Sequence, residues 1–221
     1  MSHKVHPYSH RLGIIRDWQS RWFGTGGQFQ KFLKADVLLR EFLEKKLRGF
    51  AVNNIEIERG QNFLRLTIKT ARPGLIIGRS GEGSTKLRAE AAKFLERIGA
   101  EIPKDFRLDI EEVKNPETYA RLVAQMIAEG LEKRLPFRRV AKQALEKAMG
   151  NRDVGGVRVT LSGRLGGADI GRTETFKKGR LPLQTLRADI DFAREKAHMT
   201  YGVVGIKVWI YRGEIFAEKA K

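Results

Sequence analysis

The chain has 221 residues, 41% of them hydrophobic, with 43 lysines and arginines against 26 aspartates and glutamates, a formal charge of +17, and no cysteine. The apolar share is enough for a core in one large or two ordinary domains, and the missing thiols exclude disulfides, thiol catalysis and Cys-ligated zinc. Self-repulsion on this scale opposes compaction, so the charge points to a polyanionic partner, nucleic acid ahead of an anionic membrane.

Residues 1–34 read as a basic arm, with Lys4, Arg11, Arg16, Arg21, Lys31 and Lys34 against Asp17, and with Trp18, Trp22 and Phe23 among them. Its periodicity is weak, so it is expected to gain order by lying on something. His3, Lys4, His6, His10 and Arg11 interrupt any leader-like apolar stretch, and no run approaches the roughly 20 apolar residues of a membrane span. The expectation is a cytoplasmic chain with no membrane partner.

From about Ala35 an apolar stripe of Leu39, Phe42, Leu43 and Leu47 predicts a helix that stops at Gly49. Alternation at Ile55 and Ile57, then at Leu64, Leu66 and Ile68, predicts a hairpin turning at Gly60-Gln61-Asn62. Pro73 opens a short apolar turn through Ile77. The loop Gly78-Arg79-Ser80-Gly81 follows, then a helix with Leu87, Ala91, Phe94, Leu95 and Ile98 on one face, then a strand at Phe106, Leu108 and Ile110.

Pro116 marks the expected domain boundary. Beyond it two helices, about 117–134 and 137–149, are divided at Pro136. Strands follow at Val157, Val159 and Leu161; less regularly from Ile170 to Phe176; at Leu186, Ala188, Ile190 and Phe192; and at Val204, Ile206, Val208 and Ile210. The fold class is α+β: an arm over 1–34, an RNA-binding domain over 35–115, and a second α+β domain over 116–221, a mixed sheet with two helices on one face.

The Gly-x-x-Gly loop lies between an apolar turn and a helix N-terminus. Glycine lets the backbone approach a sugar–phosphate chain with no Cβ in the way. The helix start offers unpaired N–H groups and the positive end of its dipole, and Arg79 adds a cation. Such a loop clamps single-stranded nucleic acid, and the order helix–strand–strand–helix–helix–strand is that of type II KH domains. Neither Gly78–Thr85 nor Gly163–Arg172 has the Gly-Lys-Ser/Thr ending of a P-loop, and Gly81-Glu82-Gly83-Ser84-Thr85-Lys86 lacks the last glycine of a dinucleotide fingerprint.

At about 100° per residue, Arg138, Arg139, Lys142, Gln143 and Glu146 share one arc of the second helix after Pro116, opposite Val140, Ala141, Ala144, Leu145 and Ala148. Three cations with one nearby anion favour an anionic partner over an ordinary solvated face. Arg158, Arg164, Arg172, Lys177, Lys178, Arg180 and Arg187 form a third cluster around Ser162-Gly163-Arg164-Leu165-Gly166-Gly167. The fork of arginine suits phosphate. No catalytic site is expected. His3, His6 and His10 sit on a poor ligand frame for a metal, His198 stands alone, and Asp189 and Asp191 are expected to pair with Arg187 and Arg194. No cofactor, metal or small-molecule substrate is expected.

The blocks Lys4-Val5-His6-Pro7, Arg11-Leu12-Gly13-Ile14, Ala71-Arg72-Pro73-Gly74, Ile76-Ile77-Gly78, Phe137-Arg138-Arg139, Ser162–Ala168, Leu186–Asp191 and Thr200-Tyr201-Gly202-Val203 resemble, in order, the bacterial small-subunit ribosomal protein S-three family. The resemblance implies a cytoplasmic, ribosome-bound structural protein of the small-subunit head, with S-ten and S-fourteen as protein partners. It also implies mRNA held and unwound where it enters the subunit, a role that falls on Arg138, Arg139 and Lys142. Binding of small-subunit rRNA is assigned to Lys4, Arg11, Arg72, Arg164, Arg172, Lys177, Lys178 and Arg180, beside the KH loop Gly78, Arg79, Ser80 and Gly81. Gly83 stands where relatives often carry a larger residue, which is expected to loosen the first helical turn. A free KH-domain RNA chaperone or transcription factor, and a nucleic-acid lyase, are the rival readings.

Overall fold

The computed structural model describes residues 5–100, 103 and 105–216. The chain divides into two compact units, Trp18–Lys114 and Met1–Asp17 together with Asn115–Lys221. The described elements run α1 (Pro7–His10), β1 (Ser20–Arg21), α2 (Gly27–Lys46), β2 (Val52–Arg59), β3 (Phe63–Thr70), α3 (Pro73–Ile77), α4 (Glu82–Ile98) and β4 (Asp105–Glu112). They continue with α5 (Ala120–Glu132), α6 (Phe137–Met149), β5 (Gly156–Gly163), β6 (Arg172–Gly179), β7 (Ala188–Met199) and β8 (Gly202–Glu214).

In the first unit the strand order is β1-β2-β3-β4. The hairpin pairs Ile55 with Ile68 and Ile57 with Leu66. β4 then runs parallel to β3, with Leu64 opposite Phe106 and Leu66 opposite Leu108. A parallel neighbour needs a long crossover, and α3, the glycine loop and α4 supply it. The period-2 apolar residues of β2 and β3 meet the stripes Leu39, Leu43, Leu47 and Leu87, Ala91, Leu95 in one core, where Phe42 of α2 stacks on Phe94 of α4 at 4.4 Å.

The expected arm is not one piece: residues up to Asp17 belong to one unit and those from Trp18 to the other. Helix α2 also begins eight residues before the expected Ala35, because Phe29 and Phe32 pack around Trp22 at 5.3 and 5.7 Å. The Trp22 indole N–H donates to Asp36 at 2.7 Å. Asp36 in turn accepts from Arg59 at 2.9 Å, with side chains 2% and 3% exposed, and the Arg59 guanidinium lies over Phe32. An isolated buried carboxylate would be very costly; here it is paired and hydrogen-bonded on both oxygens.

In the second unit the order is β6-β5-β8-β7. Every pairing is antiparallel, so the mixed sheet expected here is not mixed. The hairpins β5–β6 and β7–β8 reverse the chain directly, and no helical crossover joins neighbouring strands. Val157, Val159, Leu161, Val204, Ile206, Val208 and Ile210 face α5 and α6, whose Val123, Ile127, Val140, Ala141, Ala144 and Leu145 close the core.

Ala188, Ile190 and Phe192, which alternate as a strand in the sequence, lie outside that core. Ile190 pairs with Tyr211 and Phe192 with Trp209, on the face away from the helices. Ile190 is nonetheless fully buried, because α1 and the residues after it pack against β7 there. His6 meets Phe192 edge-on at 4.8 Å. Arg11 is the fastener: its guanidinium donates to the carbonyls of Ala188, Pro7, Leu183 and Thr185 at 2.6 to 3.0 Å. Arg16 pairs with Asp189, which also meets Arg212. Asp191 accepts from the first N–H of α5, at Ala120, and approaches Arg212. The acid pair is thus structural, as expected, but its partners are Arg16 and Arg212; Arg187 pairs with Glu214.

Candidate nucleic-acid interface

The KH loop is built by close approach. Gly78 and Gly81 have φ of +70° and +80°, and Ser80 sits at +52°. The two glycines take this left-handed region freely, whereas for serine it costs about 1–2 kcal/mol. Gly78, Arg79 and Ser80 are exposed. The Ser84 and Thr85 hydroxyls donate to the carbonyl of Gly81 at 2.8 and 3.1 Å, which fixes the loop to the start of α4. Arg79 makes no ion pair among the described residues.

Gly83 corrects an expectation. A Cβ there would lie 2.4 Å from the carbonyl oxygen of Ile76 and 2.9 Å from that of Ile77. The glycine therefore does not loosen the turn. It lets α4 close onto the end of α3, and α4 is regular from Glu82. Arg72 is exposed at the start of α3, where its N–H donates to the Thr70 hydroxyl.

The face of α6 divides as its 3.6-residue period requires. Val140, Ala141, Ala144, Leu145 and Ala148 are buried, while Arg138, Arg139, Lys142, Gln143 and Glu146 are exposed. Arg139 and Lys142 make no ion pair among the described residues. Arg138 differs: it donates to both oxygens of Glu174 on β6 at 3.2 and 3.3 Å. That hydrogen bond, with the carboxylate charge, raises the guanidinium above its ordinary value. Arg172 meets the same carboxylate at 3.3 Å, and Phe137 lies under both guanidiniums at 5.5 and 5.8 Å.

Thus Arg138 and Arg172, from two separate sequence clusters, are joined through Phe137 and through Glu174, which no motif in the sequence marked. The alternation of β6 held the signal, since it puts Arg172, Glu174 and Phe176 on the helix side.

The remaining cations separate. Lys177, Lys178 and Arg180 are exposed. Arg164 is largely engaged, donating to the carbonyls of Ala168 and Tyr201 and to Asp169, so it closes its own glycine turn. Arg11, assigned to rRNA, is 0% exposed, and burial lowers its pKa below the ordinary value. That removes it from any RNA-facing surface. Lys4 lies outside the described residues.

Residues 38–118 match the family described as "KH domain", and residues 127–210 match "Ribosomal protein S3, C-terminal domain". The chain is 49% identical over 220 residues to a protein of Caldicellulosiruptor bescii, covering 100% of this chain and 96% of the relative. It is 46% identical to one of Nitrosococcus oceani, covering 99% and 94%, and 44% identical to one of Ectopseudomonas mendocina, covering 100% and 93%. All three are called "Small ribosomal subunit protein uS3".

Proposed function

The chain belongs to the uS3 family of small ribosomal subunit proteins, and on that premise we propose that it binds small-subunit rRNA through dispersed cations and grips mRNA entering the subunit with the exposed face of α6. It is a structural, non-enzymatic constituent of the bacterial ribosome. The expected domain division near residue 115 belongs to the same proposal, as do contacts with the neighbouring proteins S-ten and S-fourteen.

The mRNA reading rests on one observation above the others: Arg139 and Lys142 stand exposed on a rigid helix with no ion pair among the described residues. Phosphate neutralisation by such cations gives affinity without sequence preference, as a site that meets every mRNA requires. Arg138 adds a third charge, shared with Glu174. For rRNA, the supporting residues are Arg72, Arg172, Lys177, Lys178 and Arg180, with the loop Gly78 to Gly81. Lys4 stays in that set on sequence grounds alone.

The test is to build subunits carrying Arg139→Glu and Lys142→Glu and to follow translation through a strong mRNA hairpin. Slowed passage through the hairpin, with normal subunit sedimentation and normal rates on unstructured mRNA, is the expected result. Unchanged passage would overturn the mRNA reading.

A further inference from the structure

The second sheet has an outward face of which the reading above uses Lys177 alone. Three of its outward rows run across β6, β5, β8 and β7: Lys177–Arg158–Trp209–Phe192, then Thr175–Thr160–Lys207–Arg194, then Thr173–Ser162–Gly205–Lys196. These rows hold five cations, two aromatic rings, four hydroxyls and no carboxylate. Glu174, Asp191 and Glu195 of the same strands alternate to the helix side. None of the five cations makes an ion pair among the described residues, although other exposed cations of this unit do, such as Arg138, Arg172 and Arg187.

The rings hold two of the cations. Arg158 lies over Trp209 at 5.1 Å and Arg194 over Phe192 at 5.4 Å, and the two rings touch at 4.9 Å. The Arg158 Nε is buried with no hydrogen-bond partner. Of the described N-terminal residues, His6 packs on Phe192 at one end of this face. Strands about 4.8 Å apart and rows about 7 Å apart give a footprint of roughly 15 Å on a side, room for a few nucleotides. An unpaired cationic sheet face with stacking groups set in it matches the chemistry of single-stranded RNA, whose phosphates need cations and whose free bases stack on aromatic rings and guanidinium planes.

We propose that the outward face of the β6-β5-β8-β7 sheet is a second RNA-docking surface. Arg158, Lys177, Arg194, Lys196 and Lys207 hold the phosphates of a single-stranded segment, and an unstacked base lies on the Arg158–Trp209 pair. The Thr160, Ser162, Thr173 and Thr175 hydroxyls serve sugar and phosphate oxygens. The inference rests on the RNA-binding reading above and adds where and by which groups the RNA is held.

The experiment uses the full chain and a fluorescent 12-nucleotide oligouridine, with anisotropy measured across a potassium chloride series. The triple variant Arg158→Gln, Arg194→Gln, Lys207→Gln is compared with the wild type and with Arg139→Gln, Lys142→Gln. Each lost phosphate contact removes about 0.7 from the slope of log affinity against log salt, so the triple variant should lose about 2. Acetylation of the wild type, read by mass spectrometry, needs no variant to fold: RNA should shield Lys177, Lys196 and Lys207. A wild type that binds, with an unchanged slope in a folded triple variant or with those three lysines unshielded, overturns this surface and leaves the functional reading standing. A wild type that fails to bind RNA overturns both. Stronger shielding by an acidic peptide of equal charge also overturns the proposal and makes the face a protein-docking surface.

Discussion

Asp36 of α2 and Arg59 of β2 meet at 2.9 Å with both side chains all but sealed from solvent. They tie the helix to the sheet at the point where Trp22 and Phe32 also converge. Truncating one partner leaves the other charge buried and uncompensated. Asp36→Ala should therefore destabilise the Trp18–Lys114 unit by about 3–5 kcal/mol, measured by urea unfolding of the full chain with Trp22 fluorescence as the local probe. Loss below 1 kcal/mol would mean that water reaches the pair.

Arg11→Met keeps much of the stem and removes the donors to four carbonyls. Hydrogen bonds from a charged donor are worth about 1.5–3 kcal/mol each, though carbonyls released to water recover part of that. The expected loss is about 3 kcal/mol, with faster amide exchange at Ile190 and Phe192 as the covering segment lifts. RNA affinity at low salt should change far less than for any exposed arginine.

Gly83→Ala introduces a methyl 2.4 Å from a backbone oxygen that cannot rotate away. The helices α3 and α4 must part, at a cost of about 1–3 kcal/mol. Amide exchange should accelerate from Ile76 to Gly81. Equal stability and unchanged exchange would show that the turn is not held by this approach.

His6 provides a pH signature. Burial first, then the charge of Arg194, lowers its pKa below the ordinary 6.5, and its Nδ1 accepts from the Tyr8 N–H, which a proton would block. The unfolded chain therefore takes up a proton before the folded chain does. Stability is full above about pH 6.5, falls as pH drops towards the folded value, and levels off below it. His6→Asn, which keeps an acceptor without titrating, should flatten this part of the stability profile.

Glu174→Gln should release Arg138 from its carboxylate. The freed guanidinium, beside Arg139 and Lys142, should raise affinity for single-stranded RNA and steepen the salt slope by about 0.7. A weaker binder would show that Glu174 positions Arg138 for RNA.

Periodicity in the sequence carried the regular parts. The stripes of α2 and α4, the hairpin at Gly60 and the two faces of α6 were legible because alternation at 2 or 3.6 residues follows directly from burial on one side. What escaped was set by contacts distant in sequence. Ile190 and Phe192 alternate as a core strand would, yet their cover is the N-terminal segment, and nothing local distinguishes the two faces of a strand buried on both. Arg11 looked like an RNA contact because composition counts its charge and is blind to carbonyls 172 to 177 positions away. The start of α2 was missed because its first turns are held by Trp22 and carry no stripe of their own.

The seat of Arg11 also orders events in time. During synthesis the chain emerges from its N-terminus, and domains tend to fold as they complete. The Trp18–Lys114 unit has all its strands once Glu112 is out, while the segment around Arg11 must wait for Leu183, Thr185 and Ala188. The segment around Arg11 is thus made before its partners and is among the last to find its place, and until then a positively charged stretch stays free in RNA-rich surroundings. A ribosome stalled before residue 183 should leave the segment around Arg11 open to protease, and one stalled with β8 fully emerged should not.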